Sequence, residues 1–158
     1  MNKKIHKIMD LCFEAKTRGH DCFLDYSGHV DSLKFRSYLF GWNEATDSHY
    51  STAIYLNHQN TDAKLDKVIV YLEEIINTDY SRGIKLNYFK RNFNLIMNSD
   101  IDYKDHSLSK ILSKMELVFS IPAYKDEKFN EDNPDVMEFY QKISNERSII
   151  KALEMQDY

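Results

Sequence analysis

The stretch HDCFLDYSGHVDSLKFRSYLFGW (His20–Trp42), followed after a short gap by YSTAIYLNH (Tyr50–His58), decides the fold. Each run alternates between two sets of side chains. His20–Ser27 sets Cys22, Leu24 and Tyr26 against Asp21, Phe23 and Asp25. Leu33–Trp42 sets Leu33, Phe35, Ser37 and Leu39 against Lys34, Arg36, Tyr38, Phe40 and Trp42. Tyr50–His58 sets Tyr50, Thr52, Ile54 and Leu56 against Ser51, Ala53, Tyr55 and Asn57. Period two with aromatic and β-branched residues predicts strands, because successive side chains of a strand point to opposite faces. The connections Gly28–Ser32 and Asn43–His49 are short enough for antiparallel hairpins.

Helical periodicity flanks this core. Over residues 3–18, Ile5, Ile8, Met9, Cys12 and Phe13 recur at three- and four-residue spacing, and Gly19 stands where a left-handed helix end belongs. Residues 62–77 repeat Leu65, Val68, Ile69, Leu72 and Ile76, with Asn60 or Thr61 available as a cap. Beyond residue 80 the alternation disappears. Lys85–Asn98 and Ser107–Phe119 read as helices, Ile121–Asp132 as an extended acidic connection, and Asn133-Pro134 as the opening of a last helix to about residue 155, with Met137, Tyr140, Ile143 and Ile150 inward. The expected fold is α+β: an α-β-β-β-α unit over 1–79 with a three-stranded antiparallel sheet, then about three helices over 80–158, both parts sharing one body.

Composition narrows the function. The chain has 158 residues, 42% hydrophobic and 29% charged, which suits a folded protein rather than a disordered one. A net charge of −4 offers no general attraction to nucleic acid. The opening Met1-Asn2-Lys3-Lys4 leads into a charged amphipathic helix rather than an apolar leader, and no apolar run is long enough to span a bilayer, so a cytoplasmic protein without a membrane partner is expected. Cys12 and Cys22 form neither a disulfide framework nor a CxxC pair and are expected to be buried, unreacted thiols. Lysine far outnumbers arginine, asparagine and isoleucine are common, and there are only 4 glycines and 2 prolines, a bias typical of AT-rich genomes.

Reaction chemistry has little to stand on. There is no GxSxG, no phosphate-binding glycine loop and no dinucleotide glycine pattern, so no catalytic residue and no cofactor is assigned. A Cys22 pairing with His29 or His49 lacks the electropositive setting a nucleophilic thiol needs. His20, Cys22, His29, His49 and His58 bracket the strands, yet none has the tight spacing of a metal site, and no metal is expected. Two surfaces remain. One sheet face would carry Phe23, Tyr38, Phe40, Trp42 and Tyr55 with Lys34 and Arg36, an aromatic area that either the C-terminal helices or a second copy of the chain would cover, or that a ligand would use. The other is a pair of charge islands: Arg82, Lys85, Lys90 and Arg91 with no acid among them, and the acidic stretch Asp126–Glu138.

Two resemblances attach to these residues. The α-β-β-β-α order, with Gly28-His29 after the first strand and Phe35 in the second, is similar to the double-stranded RNA-binding domain family. That family holds phosphate with lysines at the start of its last helix. Here the matching stretch Asn60–Lys67 sets Asp62 and Asp66 against Lys64 and Lys67, and residues 1–80 carry nine basic against twelve acidic side chains, 9 − 12 = −3, so the activity is not carried over. The segment Phe23–Val30 leading to Phe40-Gly41-Trp42 resembles small early-region proteins of phages and prophages of low-GC Gram-positive bacteria. That likeness implies an accessory protein whose partner is a host or defence-system protein, in its sharpest form an inhibitor of a CRISPR nuclease; the chain itself is expected to be a monomer or, if the helices leave the aromatic face bare, a homodimer through Trp42.

The expected partner-binding residues are Lys34, Arg36, Tyr38, Trp42 and Tyr55 on the sheet, with Asp126, Glu127, Glu131 and Asp132 in the acidic stretch. The alternative is nucleic-acid binding through Arg82, Lys85, Lys90 and Arg91, with or without the sheet aromatics.

Overall fold

A computed structural model describes residues 1–155 and divides the chain into two units. The first comprises Met1–Trp42 and Asp47–Tyr80; the second runs from Ser81 onward and includes Asn43–Thr46. The α+β architecture is as expected from the sequence: helix α1 (Asn2–Thr17), strands β1 (Asp21–Ser27), β2 (Ser32–Tyr38) and β3 (Tyr50–Tyr55), then helices α2 (Thr61–Asn77), α3 (Arg82–Met97), α4 (Lys104–Phe119), α5 (Glu127–Asp132) and α6 (Pro134–Glu154).

In the first unit the strands form one antiparallel sheet in the order β1-β2-β3, with Leu24 opposite Phe35 and Leu33 opposite Ile54. This register puts Leu33, Phe35, Ser37 and Ile54 on one face, where all four are buried beneath α1 and α2. Leu65, Val68, Ile69, Leu72, Ile75 and Ile76 of α2 complete that core. Each large side chain so buried contributes about 1.5–3 kcal/mol. A polar lock sits within it: the Ser37 and Tyr71 hydroxyls lie 2.6 Å apart, and Tyr71 stacks on Tyr50 with ring centroids 4.5 Å apart.

Gly19 ends α1 as the sequence predicts. Its φ is 90°, its N–H donates to the Lys16 carbonyl at 3.0 Å, and the next N–H, from His20, reaches back to Ala15 at 3.1 Å. These paired bonds close the helix and aim the chain into β1. Thr61 and Asn60, in contrast, do not cap α2: the Thr61 hydroxyl lies within hydrogen-bond distance of the Tyr55 and His58 carbonyls, and Asn60 makes no side-chain cap bond.

The inward stripe of α1 differs from its sequence reading. Ile8 and Ala15 are buried and Ile5, Leu11 and Cys12 half-buried, whereas Met9 and Phe13 are exposed. Met9 and Phe13 lie about a third of a turn round from Ile8, outside the angle that α2 and β1 cover. Strand β2 is shorter than its alternation suggests. It stops at Tyr38, because Phe40 (φ 57°) and Gly41 (φ 105°) turn the chain out of the sheet. β3 likewise stops at Tyr55 rather than continuing to His58.

In the second unit α3, α4 and α6 pack together through Leu86, Phe89, Phe93 and Ile96, through Leu108, Ile111, Leu112 and Met115, and through Val136, Phe139 and Ile143. Two sequence expectations are corrected here. The stretch read as extended contains the short helix α5, which Asp126 starts by accepting from the Phe129 N–H at 3.0 Å. The buried ridge of α6 is Val136, Phe139 and Ile143, with Met137, Tyr140 and Ile150 only half-buried, since the helix docks on α4 along that i, i+3, i+7 line. Asn133 makes no cap bond to α6; its amide donates to the Phe129 carbonyl at 3.1 Å. Pro134 does open the helix.

Replacing Gly19 by alanine keeps the fold but strains the αL turn. The expected loss is about 1 kcal/mol, read as a lower urea midpoint with an unchanged denaturant slope.

Candidate functional site

The sheet face away from α1 and α2 collects most of the side chains the sequence singled out. The register places Phe23 opposite Arg36, Asp25 opposite Lys34, and Asp21 opposite Tyr38. At one end Phe23, Tyr38 and Trp42 form an aromatic cluster. Phe23 meets Tyr38 and Trp42 edge-on, both with centroids 5.7 Å apart, and Tyr38 meets Trp42 at 6.5 Å. Trp42 lies beyond the end of β2 but is drawn back, because its backbone N–H donates to Asp21 Oδ2 at 2.7 Å.

The Arg36 guanidinium lies 5.5 Å from the Phe23 ring centroid, and its Nη2 donates to Asp25 Oδ2 at 2.7 Å. That hydrogen bond leads the causes that hold the guanidinium even more firmly protonated than usual. The Arg36 Nε, enclosed by its surroundings, has no hydrogen-bond partner. Lys34 is exposed in the middle of the face, and Tyr55, 46% exposed, marks its far end beside His58 at 5.5 Å. Opposite Arg36 and Lys34, β3 carries the small exposed Ser51 and Ala53.

Phe40 does not belong to this face, contrary to the alternation. Once the chain leaves the sheet, the Phe40 ring is buried against His20 at 4.9 Å and Tyr80 at 5.2 Å. The turn that moves it is held by two histidines. The Leu39 N–H donates to His49 Nδ1 and the Phe40 N–H to His20 Nδ1, each at 3.3 Å. Both histidines serve as acceptors for backbone groups that have left the β-ladder. His29 lies in the β1–β2 connection at the opposite end of the sheet, and His58 is exposed just past β3. Among the described residues no three His, Cys, Asp or Glu side chains converge in a way that could hold a metal ion.

Cys22 is not brought to His29, which lies beyond the far end of β1. Its thiol instead meets Cys12 of α1. Neither thiol is buried as expected: both are half-buried and line a groove of about 350 Å³ between α1 and β1.

The second unit separates its candidates. Asp126 caps α5, leaving Glu127, Glu131 and Asp132 exposed on that single turn and a half. Arg82 donates to the Asp132 carbonyl at 3.0 Å and lies 3.5 Å from Asp135, so it neutralises the acidic stretch of its own unit. Lys90 sits over the Phe139 ring at 5.9 Å, Lys85 is half-buried, and Arg91 is exposed about half a turn of α3 away from Arg82. The four basic residues therefore do not share one face of the helix. In the first unit the start of α2 is likewise occupied, with Lys4 bonded to Asp66 at 2.8 Å and Lys64 donating to the Ala53 carbonyl at 3.0 Å.

A recess of about 390 Å³ lies between the 121–126 segment and α6, lined in part by Pro122, Tyr124, Asn130 and Tyr140. Tyr140 donates to Glu116 of α4 at 2.5 Å, and desolvation together with that bond pushes its hydroxyl up to about 12.

No family model, curated protein or solved structure matches this chain. Among the described residues no helix is long and apolar enough to cross a membrane.

Because the folded-state pKa of Tyr140 lies above the ordinary value of 10, its contribution to stability is complete below pH 10 and disappears as pH rises through about 12. Tyr140→Phe is expected to flatten the loss of stability across that window, measured by denaturant melts at stepped pH.

Proposed function

We propose that the chain is a non-enzymatic binding protein whose outer sheet face docks on a partner protein. The observation that carries this reading is the half-buried Phe23 and Trp42, packed on a buried Tyr38, beside the half-buried Arg36. Aromatic rings and arginine are the side chains that dominate protein interfaces, since they bury much area with few rotatable bonds. A partner surface offering a carboxylate toward Arg36 and Lys34, with an apolar rim for Trp42, has the matching chemistry.

The wider setting rests on the sequence. The likeness of the Phe23–Trp42 segment to early-region phage proteins, together with the AT-rich residue bias, supports an accessory protein of a phage or mobile element acting on a host component, in its sharpest form an inhibitor of a bacterial defence nuclease. The acidic turn of Glu127, Glu131 and Asp132 suits a basic groove built for phosphate and would serve as a second point of contact.

Nucleic-acid binding through Arg82, Lys85, Lys90 and Arg91 is the weaker reading, because Arg82 is spent within its own unit and Arg91 faces away from it.

The test is a stoichiometric complex recovered from a low-GC Gram-positive lysate and followed by size-exclusion chromatography. Arg36→Ala and Trp42→Ala are each expected to weaken it at least tenfold, about 1.4 kcal/mol or more, while Arg91→Ala leaves it intact. No complex, or one indifferent to Arg36 and Trp42, overturns the reading. A gel shift with single-stranded or duplex DNA that weakens steeply with salt and is lost in Arg91→Ala would favour nucleic acid instead.

A further inference from the structure

The two cysteines are ten positions apart in sequence and belong to different elements, Cys12 to α1 and Cys22 to β1. The turn at Gly19 folds α1 back against β1, so their side chains meet across the groove between them. The neighbouring Cys22 thiol lowers the Cys12 thiol below its ordinary pKa, with burial acting the other way. Lys16, one helical turn past Cys12, lines the same groove and adds a cation nearby. Met9 and Phe13, both exposed, form the apolar rim, so a small molecule can reach the sulfurs from outside.

A metal is a poor alternative occupant. His20 also lines the groove, but its Nδ1 already accepts from the Phe40 N–H, which leaves the proton of the neutral ring on Nε2. Asp21 Oδ2 accepts from the Trp42 N–H. Two thiols with no third ligand do not make a zinc site.

We infer that Cys12 and Cys22 form a redox modification site, closing to an intramolecular disulfide when the chain meets a small-molecule disulfide. The Cys12 thiolate attacks one sulfur of the oxidant, and one thiolate leaves. The Cys22 thiolate then attacks the Cys12 sulfur of the mixed disulfide, forming the Cys12–Cys22 bond and releasing the second thiolate. The two protein thiols lose two protons and two electrons, and the oxidant is reduced to two thiols. The bond would clip the last turns of α1 to the start of β1, next to Phe23, which lines the groove and belongs to the aromatic cluster. This chemistry stands or falls independently of the proposed partner.

The experiment treats the purified full chain with oxidised glutathione. Expected are the loss of both titratable thiols, a mass lower by two hydrogen atoms, a peptide linking Cys12 to Cys22, and a thermal midpoint that rises and returns on reduction. Cys22→Ser should stop at a persistent glutathione adduct on Cys12, and Cys12→Ser should leave Cys22 slow to react. Two thiols still titratable after oxidation, a disulfide between chains, or stable glutathione adducts on the unmutated protein would each overturn the inference, and none of these readouts depends on either variant folding.

Discussion

A three-stranded sheet has two faces, and the two helices of the first unit cover one. Everything else in that unit follows from which face they take. The inner face is set by Leu33, Phe35 and Ile54, aliphatic and aromatic side chains with no polar group, and α1 and α2 close over them. Period two then leaves Phe23, Lys34, Arg36, Tyr38 and Tyr55 no choice but the other side. A one-residue slip of β2 would exchange the two sets and expose the core, so the packing that stabilises the unit also specifies its outer surface.

The end of the sheet where β2 stops shows how backbone hydrogen bonding arranges side chains. Leaving the ladder at Leu39 strands two N–H groups, and His49 and His20 accept them. That exchange lets Phe40 turn inward while Trp42, held through Asp21, returns to the outer face. At the other end Asp31 has the corresponding role, accepting from the Tyr26 hydroxyl at 3.0 Å, from the Asn57 amide at 2.6 Å and, through its carbonyl, from the Leu56 N–H at 2.9 Å. Polar side chains thus fix both hairpin ends, and the histidines do structural work for which no metal is needed.

Charge is handled differently in the two units, with the same result. Lys4 and Lys7 of α1 bind Asp66 and Glu73 of α2, and in the helical unit Arg82 and Arg147 bind Asp135 and Asp105. Such exposed pairs contribute little to stability. They also occupy cations that would otherwise be open to an anion. Arg36 is the exception, because its pairing with Asp25 leaves Nε without an acceptor among aromatic rings.

The residue pattern by itself determined the α+β class, the order of elements, the sheet face on which Arg36 and Tyr38 lie, and the left-handed glycine after α1, since each is a local consequence of periodicity or of backbone sterics. It could not place Phe40, because a strand that ends early looks the same as one that continues until the hydrogen bonds of Leu39 and Phe40 are accounted for. It also missed the phase of α6, which docking on α4 decides, and the short helix α5, for which Asp126 three residues before Phe129 was the one local signal. Only the tertiary structure brought Cys12 to Cys22 and engaged Arg82 with Asp132 and Asp135. The physical reason is that contact between elements depends on how they pack and turn, and spacing along the chain encodes neither.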